Sequence, residues 1–312
     1  INYMINKIVA IQGNHPSKLN PVSDTSIFLA NEAQNKNYKI FYYEPKNLSI
    51  INSRVIAKGF FVKFDYTQKK FFKILKKCSL ELTKCKFILI RQNPPFNLEY
   101  ISTTYILDTI RNKVKILNNP TSIRNVSEKL YSAKYQKYMP STIFTKNIDE
   151  IKKFFKKNSS IILKPIHSYS GNDIHLLNKF DSKLINSFIK KHDHIMLQKF
   201  LPKISKGDKR VFIINGKVCG AISRIPKKGS ILSNMSKGAI PINIKLSKHE
   251  SKISKLIAKD LKKENIFFAG IDFIDQKLNG DINVTSPTGL KTHFDLSGVN
   301  LAKIFGKNLE RE

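Results

Sequence analysis

Apolar and polar residues alternate through Gly270-Ile271-Asp272-Phe273-Ile274 and again through Asp281-Ile282-Asn283-Val284-Thr285. Period-two alternation predicts two half-buried strands, and the intervening Asn279-Gly280 predicts the turn that pairs them as a hairpin. Residues two apart share a strand face, so Asp281 and Asn283 point the same way and Asp272 can reach that face. Two carboxylates and an amide oxygen converging there form a hard-oxygen set suited to Mg²⁺. The segment Thr285-Ser286-Pro287-Thr288-Gly289 follows, a loop able to wrap a ligand.

Elsewhere, short apolar runs alternate with helical periods. Residues 6–12 and 39–43 read as strands, with a helix between them starting at Ser23 to Ser26, the opening of an α/β sheet. Residues 52–68 alternate weakly and predict a hairpin. Phe87-Ile88-Leu89-Ile90 is a buried-type strand that runs into Arg91-Gln92-Asn93-Pro94-Pro95-Phe96, and a loop at such a strand end is where open α/β sheets place ligands. A helix over 99–110 and a strand over 115–117 complete the first half.

Asn118-Asn119-Pro120 breaks the pattern and predicts a domain boundary, giving units 1–118 and 119–312. In the second unit, Ser122 onward predicts a helix ending at Met139-Pro140. Strands follow at 142–145, 160–165, 174–177, 195–201, 211–214 and 217–223, with a hairpin turn at Asn215-Gly216. Helices are predicted over 148–157, 182–191, 247–263 and 297–307. The third of these carries Ile253, Leu256, Ile257 and Leu261 on one face. Residues 226–242 read as a flexible stretch, and Gly207 to Arg210 leads into the strand at 211.

Composition narrows the classes. No apolar run approaches the roughly 20 residues that span a bilayer, and the first residues lack the block of a signal peptide, which predicts a cytoplasmic chain with Met4 as its natural start. Cys78, Cys85 and Cys219 have no metal or disulfide spacing. Of 55 Lys and Arg residues, seven are arginine and 48 lysine, scattered from end to end around a net charge of +32. Sequence readers of nucleic acid cluster arginine and aromatics, so no specific nucleic-acid partner and no membrane are expected. With lysine the default cation, each arginine marks a place that needs a planar fork of donors. The loops of the second half gather Lys129, Lys164, Arg210 and Arg224 opposite the acidic pair, an arrangement suited to a polyphosphate.

The segments RQNPPFNLEYI, NPTSIRNVSEKL, IILKP, QKFLP, GDKRVFIINGK, SRIP, AGIDFI and INVTSPTG occur in this order. Together they resemble bacterial glutathione synthetase, an ATP-grasp ligase family, over nearly the whole chain. The resemblance implies an α/β and α+β chain: an N-terminal Rossmann-like domain that binds substrate, then an ATP-grasp module. It implies ATP and Mg²⁺ (with Mn²⁺ as a substitute), γ-glutamylcysteine and glycine as substrates, an acyl-phosphate intermediate and a homo-oligomer. It assigns Asp272, Asp281 and Asn283 to metal, Lys129 and Lys164 to phosphate, and the backbone of Gln198, Lys199, Phe200 and Leu201 to adenine. Arg210 and Arg224 fall near the acyl phosphate, Asp208 and Asn234 near the nucleotide, and Ser26, Arg91 and Ser286 near the peptide substrate. This chain departs from the family in the loop His167-Ser168-Tyr169-Ser170-Gly171, which has one glycine, in Leu232 where an arginine is usual, and in Asp281 where a glutamate is usual. A related ligase with another acceptor, and a non-catalytic ATP-grasp scaffold, are the competing expectations.

Overall fold

The structure, a computed structural model, describes residues 7–167 and 171–311. Met4, the expected natural start, Asn6, the first residue of the expected first strand, and Ser168 to Ser170 lie outside the described residues.

Strands β1 (Ile8–Gln12) and β2 (Lys39–Tyr43) flank helix α1 (Thr25–Asn35), whose N-cap Asp24 accepts from the Ile27 amide. They join β3 (Leu48–Ile51), β4 (Arg54–Phe64), β5 (Phe72–Glu81), β6 (Phe87–Ile90) and β7 (Lys115–Leu117) in one sheet of order β3-β4-β2-β1-β6-β7, with β5 on β4. β1 pairs in parallel with β2 on one side and β6 on the other. Their carboxyl ends therefore flank a switch point, where such sheets bind ligands. Helix α2 (Leu98–Asp108) connects β6 to β7. The hairpin expected within 52–68 is instead one long strand, β4, that turns back to β3 at Asn52-Ser53 and pairs along its length with β5. Strand β5 was hidden because its edge position is lysine-rich, with Lys73, Lys76 and Lys77 exposed, a common guard against edge pairing.

The helix expected from Ser122 is broken. Helix α3 (Pro120–Asn125) is capped by Asn119 rather than Ser122, and a separate 3₁₀ segment spans Leu130–Tyr138. Between them the chain leaves the helix because the Glu128 carbonyl accepts from Ile282 N at 3.0 Å, tying it to a strand.

A second sheet, in order β10-β9-β11-β8, is built from β8 (Thr142–Thr145), β9 (Ile161–Pro165), β10 (His175–Leu177) and β11 (Ile195–Lys199). Helices α4 (Ile148–Lys157) and α5 (Ser182–His192) cover it through Ile151, Phe154, Ile185 and Phe188. The third sheet, in order β14-β13-β12-β15-β16, comprises β12 (Asp208–Ile214), β13 (Lys217–Ile225), β14 (Ile240–Asn243), β15 (Phe268–Ile274) and β16 (Lys277–Asn283). The strand expected from Val211 thus begins earlier, at Asp208, and the stretch expected to be flexible contains most of β14. Helix α6 (Lys248–Lys263) starts with a Ser247–Glu250 capping box and buries Ile253, Ile257 and Leu261, while Leu256 is exposed, off the predicted face.

The β15–β16 hairpin turns at Asp275-Gln276, not at Asn279-Gly280; both turn residues have positive φ. Gly280 instead lies within β16 at φ +84°, where the pairing register shifts between Ile271 and Phe273. A Cβ there would sit 2.6 Å from the Met196 methyl. The single closing helix is two, α7 (Leu290–Ser297) and α8 (Leu301–Leu309), separated at Gly298 and with Asn300 capping the second. Leu290, Leu301, Phe305 and Leu309 pack into one core with Val9, Ile27, Phe28 and Leu89 of the first sheet layer. Asn118 links the same regions. Its buried side chain donates to the carbonyls of Phe268 and Val284 at 2.7 and 2.6 Å and accepts from the amides of Phe267 and Phe268 at 2.9 and 2.8 Å.

Candidate active site

Arg210 stands opposite Asp272 across β12 and β15, and Asp208 stands opposite Arg224 across β12 and β13. Opposed residues share a face, so these four buried side chains meet on one side of the third sheet. Arg210 grips Asp272 fork to carboxylate, with Nη2 donating to Oδ2 at 2.8 Å and Nε to Oδ1. Arg224 donates from Nε to Asp208 Oδ1 at 2.8 Å, and from Nη2 to both Asp208 Oδ2 and Asp272 Oδ2, the latter at 2.9 Å. Burial opposes the charge on Asp272, but Arg210 and Arg224 outweigh it and hold the carboxyl down at about 2.

Asn283 stands opposite Gly270, two residues from Asp272, so Asp272 and Asn283 share the face predicted for them. Asn283 Oδ1 accepts from Ser286 N at 3.3 Å and Thr285 Oγ1 at 3.4 Å. Asp281 lies between Lys129 Nζ at 3.4 Å and Lys164 Nζ at 3.6 Å. Burial pushes its carboxyl up, and the two lysines more than offset this, with Asp272 opposing them; the net effect holds Asp281 low. The lysines respond differently. Burial depresses the ammonium of Lys164 on balance, whereas Asp281 and Glu128 overcome burial at Lys129 and raise it. Lys164 Nζ also donates to Gln198 Oε1 at 3.2 Å and to the carbonyl and side-chain oxygens of Asn279, each at 3.0 Å.

A third group closes the near end. Arg91 is buried, with Nε 3.1 Å from Ser26 Oγ and Nη2 donating to the Pro287 carbonyl at 2.8 Å. Ser286 Oγ donates to the Arg91 carbonyl at 3.4 Å. Thr25 Oγ1 accepts from Gly289 N and Leu290 N at 3.0 and 3.3 Å, so the first domain caps α7.

The structure therefore brings together Ser26, Arg91 and Ser286, the four-residue cluster of Asp208, Arg210, Arg224 and Asp272, and the set of Lys129, Lys164, Asp281 and Gln198. Lys199 is exposed at the end of β11, and the amides of Lys199 and Phe200 are committed to the Ser141 and Ser160 carbonyls at 2.8 and 2.9 Å. Leu201 is partly buried just beyond. Asn234 belongs to neither cluster. It packs on Gly171, where a Cβ would fall 2.6 Å from its Oδ1, and Gly171 has φ +71°. Among the described residues no group of three or more His, Cys, Asp or Glu side chains could hold a metal ion. The candidate set here is two carboxylates and an amide. Sequence reasoning passed over Glu128, Asn118, Asn279 and Thr25; Glu128 was within reach, being adjacent to Lys129 in the same motif.

Comparison with known proteins shows the family. The "Prokaryotic glutathione synthetase, N-terminal domain" profile matches residues 8–124, and the "Prokaryotic glutathione synthetase, ATP-grasp domain" profile matches residues 128–296. The glutathione synthetase of Buchnera aphidicola is 36% identical over 302 residues, covering 95% of this chain and 93% of that one. That of Agrobacterium fabrum is 31% identical over 310 residues, covering 98% and 97%. In fold, the chain is similar to D-cycloserine synthetase DcsG (TM-score 0.66, 10% identity, 97% and 99% coverage). It is likewise similar to the ATP-grasp ligase PsnB in complex with Mg and ADP (TM-score 0.64, 11% identity, 98% of each chain). Two abutting domain profiles and relatives matched almost end to end leave one assignment: the chain belongs to the prokaryotic glutathione synthetase family.

Proposed function

We infer that this chain is an ATP-dependent carboxylate–amine ligase that joins γ-glutamylcysteine to glycine, forming glutathione and releasing ADP and phosphate. The observation that carries this reading is the juxtaposition of Asp281, held by Lys129 and Lys164, with the Arg210–Asp272–Arg224 cluster, Asp272 lying near enough to act on the Asp281 charge. Phosphoryl transfer to a carboxylate needs no protein nucleophile; it needs positioning and neutralised charge. In this reading Lys129 and Lys164 hold the ATP phosphates, the segment Gln198 to Leu201 borders the adenine, and Asp208 and Asn234 border the nucleotide. The guanidinium forks of Arg210 and Arg224 stabilise the oxyanion that develops at the acyl phosphate. Arg91, with Ser26 and Ser286, holds the carboxylates of the dipeptide.

Asp272, Asp281 and Asn283 would hold Mg²⁺, which neutralises phosphate charge when bound. The donor set fits a hard cation: both carboxylates are kept ionised by their neighbours, and Asn283 Oδ1 accepts only long hydrogen bonds. The lysines that hold Asp281 are those proposed for phosphate, so nucleotide and carboxylate draw on the same charges.

The same proposal divides the chain at residue 118, with substrate binding before it and nucleotide and metal chemistry after it. No helix among the described residues is long and apolar enough to cross a membrane. Three free thiols suit a reducing compartment, and the cytoplasm is our proposal. A homo-oligomer is also proposed. Ile240 and Ile242, exposed on edge strand β14, are of the kind that self-association covers, and light scattering on the eluting protein tests it.

The deciding assay is ADP release with γ-glutamylcysteine, with and without glycine. Glycine-stimulated ADP release that requires the dipeptide supports the reading, and ADP release indifferent to the dipeptide refutes it.

A further inference from the structure

Glu128 occupies a place on this face that no role so far accounts for. Its carbonyl is bonded to Ile282 N, which fixes it beside the strand that carries Asp281 and Asn283. Its side chain lines a cavity walled by Pro94 and Phe96 from the first domain, Ile166 and His167 after β9, and Thr285 after β16. The cavity thus lies at the seam between the proposed peptide site and the proposed phosphate site.

The other carboxylates here are firmly paired. Asp272 has two arginines, Asp208 has the Arg224 fork, and Asp281 has two lysines. Among the described residues Glu128 has one ion pair, to Lys129 at 3.9 Å, and Lys129 lies closer to Asp281. Burial disfavours the Glu128 charge, Lys129 and Arg210 favour it, and Asp281 and Asp272 repel it. His167, which lines the same cavity, has its pKa lowered by burial and by Lys129. A half-buried carboxylate with one long ion pair, facing an otherwise largely apolar cavity, is complementary to a small ammonium group.

We propose that Glu128 is the counter-charge that holds the amino group of the incoming amino acid beside the acyl phosphate. The inference rests on the ligase reading above. Of the two ammonium groups that the substrates carry, the acceptor's is favoured because Glu128 lies in the field of Arg210 and Asp272, the groups assigned to the reacting carbonyl.

The test is Glu128→Gln, with Glu128→Asp as the charge-retaining variant. In Glu128→Gln, KM for glycine is expected to rise about tenfold or more, the loss of one charge-assisted hydrogen bond. KM for γ-glutamylcysteine should be unchanged, and Glu128→Asp should recover part of the glycine affinity. Hydroxylamine is uncharged at neutral pH and traps acyl phosphates as hydroxamates. Glu128→Gln should therefore form hydroxamate from γ-glutamylcysteine while its turnover with glycine at low concentration falls. An unchanged glycine KM, a shift in γ-glutamylcysteine KM instead, or a parallel loss of hydroxamate and glycine turnover would overturn the assignment. Wild-type protein that forms no dipeptide-dependent hydroxamate would fail earlier, by removing the ligase reading itself.

Discussion

Arg210 and Asp272 face each other on adjacent strands and meet as a bidentate pair, Nη2 to Oδ2 at 2.8 Å. The pair belongs to both the stability of the sheet and the proposed chemistry, so charge and geometry must be separated by substitution. Arg210→Lys keeps the charge and loses the fork. Its kcat should fall on the order of a hundredfold or more, while ATP affinity persists. Arg210→Ala should in addition lower the thermal midpoint, because Asp272 is left with Arg224 alone. Steady-state kinetics with nucleotide titration and a thermal melt check both; an unchanged kcat in Arg210→Lys would remove the fork from the mechanism.

The depressed Asp272 carboxyl fixes a direction for acid stability. Its folded-state value, about 2, lies below the ordinary carboxylate range near 4. Its contribution is therefore fully present above about pH 4 and is lost as pH falls toward about 2. The urea midpoint of the wild type should drop more steeply over that window than that of Asp272→Asn. Parallel curves would show that Asp272 does not carry the effect.

Asn118 places both donors and its acceptor on backbone groups of β15 and of the segment after β16. Asn118→Ala strands four buried backbone groups and should cost about 3 kcal/mol or more. Asn118→Asp sets an acceptor against two carbonyls and should fare no better. Denaturant unfolding measures this, and a loss well below 1 kcal/mol would show the clasp to be dispensable.

Gly280 allows the bulge that precedes Asp281. Gly280→Ala must adopt a positive φ with its Cβ against Met196 and Met139, at about 1–2 kcal/mol. The Mg²⁺ concentration for half-maximal activity should rise, since Asp281 is the next residue. Unaltered metal dependence together with unaltered stability would contradict this account of the bulge.

Much of the fold was legible because apolar runs such as Phe87 to Ile90 and the Ser247 capping box carry local signals. The errors cluster where tertiary contacts override local ones. Asn279-Gly280 has turn chemistry, yet the turn falls on Asp275-Gln276 and the glycine forms a bulge instead. The helix from Ser122 stops because residue 128 pairs with a strand far along the chain. The grouping of Arg91 with Ser26 could be assigned only through motif resemblance. The pairing of Arg224 with two aspartates, and the isolation of Glu128, depend on sheet register and were not readable from spacing.

Helices α7 and α8 seat Leu290, Leu301 and Phe305 against α1 and the first sheet. On the ribosome, Val9 emerges 281 residues before Leu290 (290 − 9). Val9, Ile27 and Phe28 must wait with part of their oily surface uncovered until α7 and α8 have been made, so the first sheet cannot mature before those helices arrive.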